Sequence, residues 1–307
     1  MSQRMRVDRP TLLRAGSALV LVAGLAACGA SPSPDDSTAS HPGRTPADQT
    51  FTSGPRVVPR PDHLVLVVFE NKTQGSIIGN PDTPYFKFLA DHGANFTQSY
   101  AVIHPSQPNY LALFSGSTHG IIDNSCPHTF TGNNQANEML AAGFTFTSYS
   151  EGLPNAGDLV CVSGSYRRKH APWANFPNVP AQAQQPFTSF PSDYTQLPDV
   201  SWVIPNLCSD MHDCPIDTGD TWLQTNLGDY ATWAKQNNSL LIVTFDEDDR
   251  SADNQIATIF YGADVKTGDF AEPITHYSVL RTMEDMYGVP RLGQARKTAT
   301  IRDIWTR

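Results

Sequence analysis

The run His63-Leu-Val-Leu-Val-Val-Phe69 has no polar side chain after His63 and stops abruptly at Glu70. An unbroken apolar run of this length suits a strand covered on both faces of a parallel sheet. Leu240–Phe245 repeats the pattern and stops at Asp246-Glu247-Asp248-Asp249, and Val200–Ile204 is stopped by Pro205-Asn206. Phe144–Tyr149 and Ala257–Tyr261 read as further strands. Helical spacing predicts elements over Pro84–His92, from Pro108 to Phe114 with Ser115-Gly116 closing it, over Thr221–Gln236, and over Tyr277–Tyr287. Pro172–Pro198 is rich in proline and aromatic residues and is read as irregular. The sum is an α/β fold, a mostly parallel sheet sandwiched by helices in a single domain over residues 61–307.

Polar clusters follow the apolar runs at once: Glu70-Asn71, Asn206, and Asp246-Glu247. The carboxyl ends of parallel strands share one edge of an open sheet, and ligands bind there. One such acidic run is usually a solvated turn; three in register with strand ends point to a common site.

Residues 1–27 place four arginines ahead of the small apolar stretch Ala18–Ala27, which is too short for a stable membrane span. This segment reads as an export signal. Leu25-Ala-Ala-Cys28 resembles the lipobox of bacterial lipoproteins, which predicts cleavage before Cys28 and a lipid anchor on its thiol. Residues 28–60 are rich in Pro, Ser, Thr and Asp and read as a disordered tether. The expected location is extracytoplasmic, as a membrane lipoprotein or a secreted protein.

The 39% hydrophobic content of the 307 residues is ample for a packed core. The formal net charge of −9 argues against nucleic acid as a partner. Loss of residues 1–27 takes it to about −12, so the globule repels anionic surfaces. Besides Cys28 there are Cys126, Cys161, Cys208 and Cys214. Outside the cytoplasm they read as two disulfides; proximity favours Cys208 with Cys214, leaving Cys126 for Cys161. The spacing fits a zinc site poorly.

Five segments then carry a resemblance. Glu70-Asn71-Lys-Thr-Gln-Gly, His104-Pro-Ser106-Gln-Pro-Asn109, Pro205-Asn206 with Asp210-Met-His212, Thr244-Phe-Asp246-Glu247, and His276-Tyr-Ser-Val-Leu-Arg281 resemble, in that order, the bacterial phosphoesterase family of acid phosphatases and type C phospholipases. The compact length is most similar to the family's secreted acid phosphatases, whose suggested substrates include phosphoinositides. Ser106-x-Pro-Asn is also similar to the nucleophile segment of nucleotide pyrophosphatases in the wider alkaline-phosphatase-like superfamily. The resemblance implies that fold, Ser106 as nucleophile, and one divalent ion held by Glu70, Asn71, Ser106, Asp246 and Glu247. It implies His104, His212 and His276 as catalytic histidines, with Asn109, Asn206 and Asp210 toward the substrate.

The chemistry agrees. Phosphoryl transfer needs an in-line nucleophile, a cation, and donors to the nonbridging oxygens. Carboxylate and amide oxygens suit Ca, Mg or Mn. Ser106 ahead of a proline-led helix is favourably placed for an anion, and histidine is suited to proton transfer. Arg167-Arg168-Lys169-His170 is a dense basic run, divided between a solvated loop and a rim at which Lys169 and His170 clamp substrate phosphate. Asp210 and Asp220 could instead cap the helix near Thr221, and Glu151 stands between the site's outer layer and solvent. Family members often continue the Asp-Glu pair with His; Asp248-Asp249-Arg250 stand here, which weakens a two-metal scheme. The leading expectation is a phosphomonoesterase acting through phosphoserine on small phosphate esters or phosphoinositide head groups. The alternatives are a phosphodiesterase of phospholipase C type and a lipoprotein that only binds phosphorylated ligands.

Overall fold

A computed structural model describes residues 58–307. The export signal, Cys28 and nearly all of the tether lie outside the described residues. Twelve strands are present in the described chain: β1 (His63–Phe69), β2 (Ala94–Phe96), β3 (Ser99–Tyr100), β4 (Phe146–Ser150), β5 (Val162–Ser163), β6 (Tyr166–Arg167), β7 (Gln184–Pro186), β8 (Val200–Ile204), β9 (Ser239–Phe245), β10 (Thr258–Gly262), β11 (Gly268–Phe270) and β12 (Ile274–Thr275). Eight form one sheet in the order β11-β2-β10-β9-β1-β8-β4-β7. Its centre is parallel, β9-β1-β8-β4-β7, and β10 runs antiparallel to both β9 and β2.

Alternation along β1 divides the core. Leu64, Leu66 and Val68 enter one apolar layer, and Val65, Val67 and Phe69 the other. Helices α2 (Pro84–His92) and α5 (Ile216–Ala234) cover the second layer through Phe86, Leu89, Leu223 and Leu227. Helices α3 (Ser106–Ser115) and α6 (His276–Tyr287) cover the first through Leu111, Phe114, Leu280 and Met283. Two shorter helices, α1 (Gln74–Ile77) and α4 (Gln135–Ala141), complete the set. Both sheet faces are therefore closed by residues 58–307 themselves.

Every residue of α3 is buried. Gly116 ends it in the left-handed region at φ 70°. A Cβ there would sit 2.5 Å from the Leu292 carbonyl oxygen, so only glycine closes this turn. The helix read from Thr221 begins at Ile216, which puts Asp220 inside it. Asp220 caps a different helix: its carboxylate accepts the N–H groups of Tyr85 and Phe86 at 2.9 Å, at the start of α2.

The segment read as irregular holds more than expected. It contains 3-10 turns and the short edge strand β7, which pairs with β4. Pro186 is tolerated because an edge strand can spare a donor. Trp173 and Phe176 from this segment are buried against Phe114, and Trp173 meets Trp202 edge-on at 5.7 Å. Truncating such an aromatic costs about 3–5 kcal/mol, enough to hold the loops on either side. The disulfides are Cys126–Cys161 and Cys208–Cys214, the pairing that proximity favoured. Among the described residues, no helix is long and apolar enough to cross a membrane.

Candidate active site

Because β1 and β9 pair with Phe69 opposite Phe245, the residues that follow, Glu70 and Asp246, emerge side by side at the carboxyl edge. Asn71 turns with φ 53°, and its backbone N–H donates to Asp246 Oδ1 at 3.0 Å. In one orientation the Asn71 amide donates to Glu70 Oε2 and Asp246 Oδ1; in the other its oxygen faces those same oxygens. Asp246 Oδ2 is buried with no partner. Three converging oxygens and an orphaned fourth are what a hard cation would satisfy.

Ser106 opens α3 and is 1% exposed. Its Oγ lies 3.1 Å from Glu70 Oε2 and 3.2 Å from Glu247 Oε1. One hydroxyl proton can serve only one carboxylate at a time, so the second contact favours a cation or a protonated Glu247 that donates to Oγ. Lys169 Nζ lies 3.5 Å from the same Oγ and 3.9 Å from Glu70 Oε2. Tyr110, one turn along α3, donates to Glu70 Oε1 at 2.5 Å. His170 stacks on the Tyr110 ring and brings Nε2 within 3.0 Å of Glu70 Oε1. Glu70, His170 and Asp210 also bring ligand atoms within 4.8 Å of one another, and Asp210 Oδ2 is buried without a hydrogen bond. His170 and Asp210, expected toward the substrate, thus belong to the set able to hold an ion.

Burial alone would raise the Glu70 pKa, but the facing His170, Lys169 and Tyr110 outweigh it and hold Glu70 down to about 2. The other carboxyls move the opposite way. Burial, then the charge of Glu70, pushes Asp210 well up. Burial, Glu70 and Glu247 do the same to Asp246. Burial raises Glu247 although His104 pulls against it. Carboxyls crowded until they resist ionising, with oxygens left unpaired, fit a divalent ion taken up by oxygen donors.

His104 spans the outer side, with Nδ1 2.6 Å from Glu247 Oε2 and Nε2 3.1 Å from Asp248 Oδ1. Asp248 itself accepts the N–H groups of Arg250, Ala252 and Asn254 and so shapes the loop where a further histidine is absent.

The other expected residues make the following contacts. His276 is buried, its Nε2 2.6 Å from the Asp246 carbonyl oxygen, and burial lowers its pKa to about 4. That hydrogen bond ties it to the Asp246 loop, and burial disfavours its charged form. Asn109 spends its amide on the loop before Ser106: Oδ1 accepts from Val102 and Ile103, and Nδ2 donates to Ile103 and Pro105. These bonds shape the loop that leads into Ser106. Asn206 Oδ1 accepts from Cys208 and Ser209, shaping the turn that carries Asp210, and Glu151 accepts the Asn206 N–H. His212 sits at the partly exposed rim with Nδ1 2.6 Å from Asp213. The helix start offers fewer donors than expected, since Gln107 N–H is taken by Asn124 Oδ1 and Pro108 has none. Tyr110 was missed, although its i+4 spacing from Ser106 on a helix was the available signal.

The basic run divides into separate roles. Arg168 is buried and donates to the carbonyls of Leu159, His128 and Ala174. Arg167 turns back on Gly164 and Tyr166. Only Lys169 and His170 reach the cluster.

Comparison with known proteins gives these findings. The model of the phosphoesterase family matches residues 78–290. A phosphatidylinositol-3-phosphatase of Mycobacterium tuberculosis is 51% identical over 248 residues, 79% of this chain and 82% of that protein. An acid phosphatase of Aspergillus fumigatus is 30% identical over 71% of this chain, which spans 54% of the fungal protein. A Vibrio parahaemolyticus protein of the alkaline phosphatase superfamily superposes with TM-score 0.54 at 15% identity, covering 81% of this chain and 73% of that one. That likeness supports the alkaline-phosphatase-like fold.

Proposed function

Since the chain belongs to the phosphoesterase family, we propose that it is an exported phosphomonoesterase acting through phosphoserine at Ser106, on phosphate esters that include phosphoinositides. The observation that carries this reading is Ser106 Oγ lying within 3.5 Å of Glu70, Glu247 and Lys169 together. A protein that only bound phosphorylated ligands would need no hydroxyl held between two carboxylates.

In the proposed cycle Ser106 Oγ gives its proton to Glu247 and attacks phosphorus, and the bond from phosphorus to the ester oxygen breaks. The leaving oxygen takes a proton from the His104 side, where imidazole bridges Glu247 and Asp248. Water then gives a proton to His104 as it attacks the phosphoserine, the bond to Oγ breaks as Oγ takes its proton back from Glu247, and inorganic phosphate leaves. Lys169 donates to a nonbridging oxygen as charge builds. Glu70, Asn71, Asp246 and Glu247, with His170 and Asp210 adjoining, would hold a divalent ion. When bound, it would lower the Ser106 pKa and offset phosphoryl charge. Two disulfides accord with an oxidising compartment, and Cys28 is read as the acylated first residue of the mature chain.

Phosphate release by Ser106→Ala tests the reading. Less than a tenth of parental activity with an unchanged melting profile is expected, and labelled phosphate should be trapped on Ser106 of the parent. Side-by-side rates on a phosphomonoester and on phosphatidylcholine separate this from phospholipase C chemistry. A faster rate on phosphatidylcholine would replace the monoesterase reading.

A further inference from the structure

The large apolar side chains left exposed among the described residues are not scattered. Ile122 is 75% exposed, Val162 58%, Leu159 51% and Val160 37%; only Phe88 and Leu140 lie elsewhere. Ile122, Leu159 and Val160 sit on two loops stapled by Cys126–Cys161, and Val162 opens β5 directly after Cys161. Each loop is tied to the nucleophile. Two residues past Ile122, Asn124 Oδ1 accepts the N–H of Gln107, next to Ser106. Beyond Val162, the hairpin β5-β6 leads to Arg168, whose backbone N–H donates to Cys161 O and whose guanidinium donates to both Leu159 O and His128 O. The next residue is Lys169, facing Ser106. The acids in these loops are occupied locally, Asp123 by Ser125 and Asp158 by the Val160 N–H.

We infer that Ile122, Leu159, Val160 and Val162 form a docking rim that enters the surface of a phospholipid bilayer and brings lipid head groups to Ser106. This rests on the phosphoinositide reading above. Ser106 is 1% exposed, so a head group held in a bilayer reaches it only when the protein comes into contact with the membrane surface. Electrostatics will not bring it there, because the globule is acidic and repels an anionic surface. Apolar side chains held on loops stapled by a disulfide supply the attraction. Lys169 behind the rim then meets the phosphate.

The test uses residues 58–307 with Ile122→Asp/Val162→Asp. Substrates are phosphatidylinositol 3-phosphate in phosphatidylcholine vesicles and its water-soluble dibutanoyl form, with vesicle cosedimentation measured in parallel. The variant should sediment less and lose about tenfold in vesicle hydrolysis, while its rate on the soluble form stays within about twofold. Equal vesicle hydrolysis and sedimentation by parent and variant would overturn the docking rim. If the parent hydrolyses neither form, the proposed function fails instead, and the sedimentation difference alone decides the rim.

Discussion

Glu70, Asp246 and Glu247 stand at the ends of two parallel strands paired residue for residue. Lys169 and His170 stand on a 3-10 turn between a two-residue hairpin and a buried tryptophan. The acidic half of the site is positioned by the sheet, so its geometry follows from strand register. The basic half is positioned by loop chemistry: a disulfide, a buried Arg168 holding carbonyls from both loops, and the stacking of His170 on Tyr110. Both halves meet at one oxygen, Ser106 Oγ. Either can be removed separately, and the consequences should differ.

The largest effect should come from emptying the acidic half. Exhaustive chelation should bring phosphate release to background, and added Mg, Ca or Mn should restore it, because the donors are nearly all hard oxygens. Full activity in a chelated sample free of metal by elemental analysis would break the assignment of the acidic half.

Next in size is Lys169→Ala. The basic run suggested a rim clamp whose loss raises KM, yet Nζ lies 3.5 Å from the nucleophile. The expected outcome is a fall of about 10²–10³ in kcat with KM little changed, as for loss of one donor to developing charge. Lys169→Arg should recover part of it. A raised KM with kcat intact would return Lys169 to the rim.

These two predictions follow elements of unequal legibility. Leu-Val-Leu-Val-Val-Phe69 before Glu70 and Leu240–Phe245 before Asp246 identify both strands and their shared edge from apolar runs alone. Glu70, Asp246 and Glu247 were read at a common edge for that reason, whereas Ser106 was singled out by the family resemblance. The Lys169 position was not, because no periodicity marks a turn fixed by Arg168 binding distant carbonyls. Asn109, Asn206 and His276 make hydrogen bonds to backbone that residue type does not reveal.

A smaller effect concerns stability. Asp210, Asp246 and Glu247 have pKa values raised by burial first and by neighbouring charge second, Asp246 also by Glu247. A carboxyl raised on folding stabilises the fold below about pH 4 and loses that contribution as pH climbs through its folded value. The cation-free protein should therefore melt at falling temperature from pH 4 to pH 8, by about 2–4 °C for each kcal/mol lost. A divalent ion should flatten the profile. Glu284, raised to about 8 mainly by burial, adds a loss of the same sign that the ion leaves unchanged and Glu284→Gln removes. Glu70, held to about 2, acts oppositely and destabilises only as pH drops below about 4. Thermal melts across pH, with and without the ion, check this; identical profiles would mean the acids share no cation.

The smallest effect is expected two residues before Lys169. Arg167 carries the same charge within the same basic run, but its guanidinium donates to Gly164 O at 2.6 Å and Tyr166 O at 2.9 Å, closing its own hairpin. Neither contact reaches Ser106, and the bond to Gly164 O is exposed, where water can replace a lost donor. Arg167→Ala should thus leave kcat and KM on a soluble monoester within about twofold and change stability by about 0.5 kcal/mol or less. The contrast with Lys169→Ala isolates position from charge, since each variant removes one positive charge from the same acidic globule. If long-range attraction governed capture, both substitutions would raise KM alike, with the increase fading at high salt. If placement on the 3-10 turn governs, only Lys169→Ala is slow, at low and high salt alike. Kinetics of both variants at two ionic strengths decide between these outcomes.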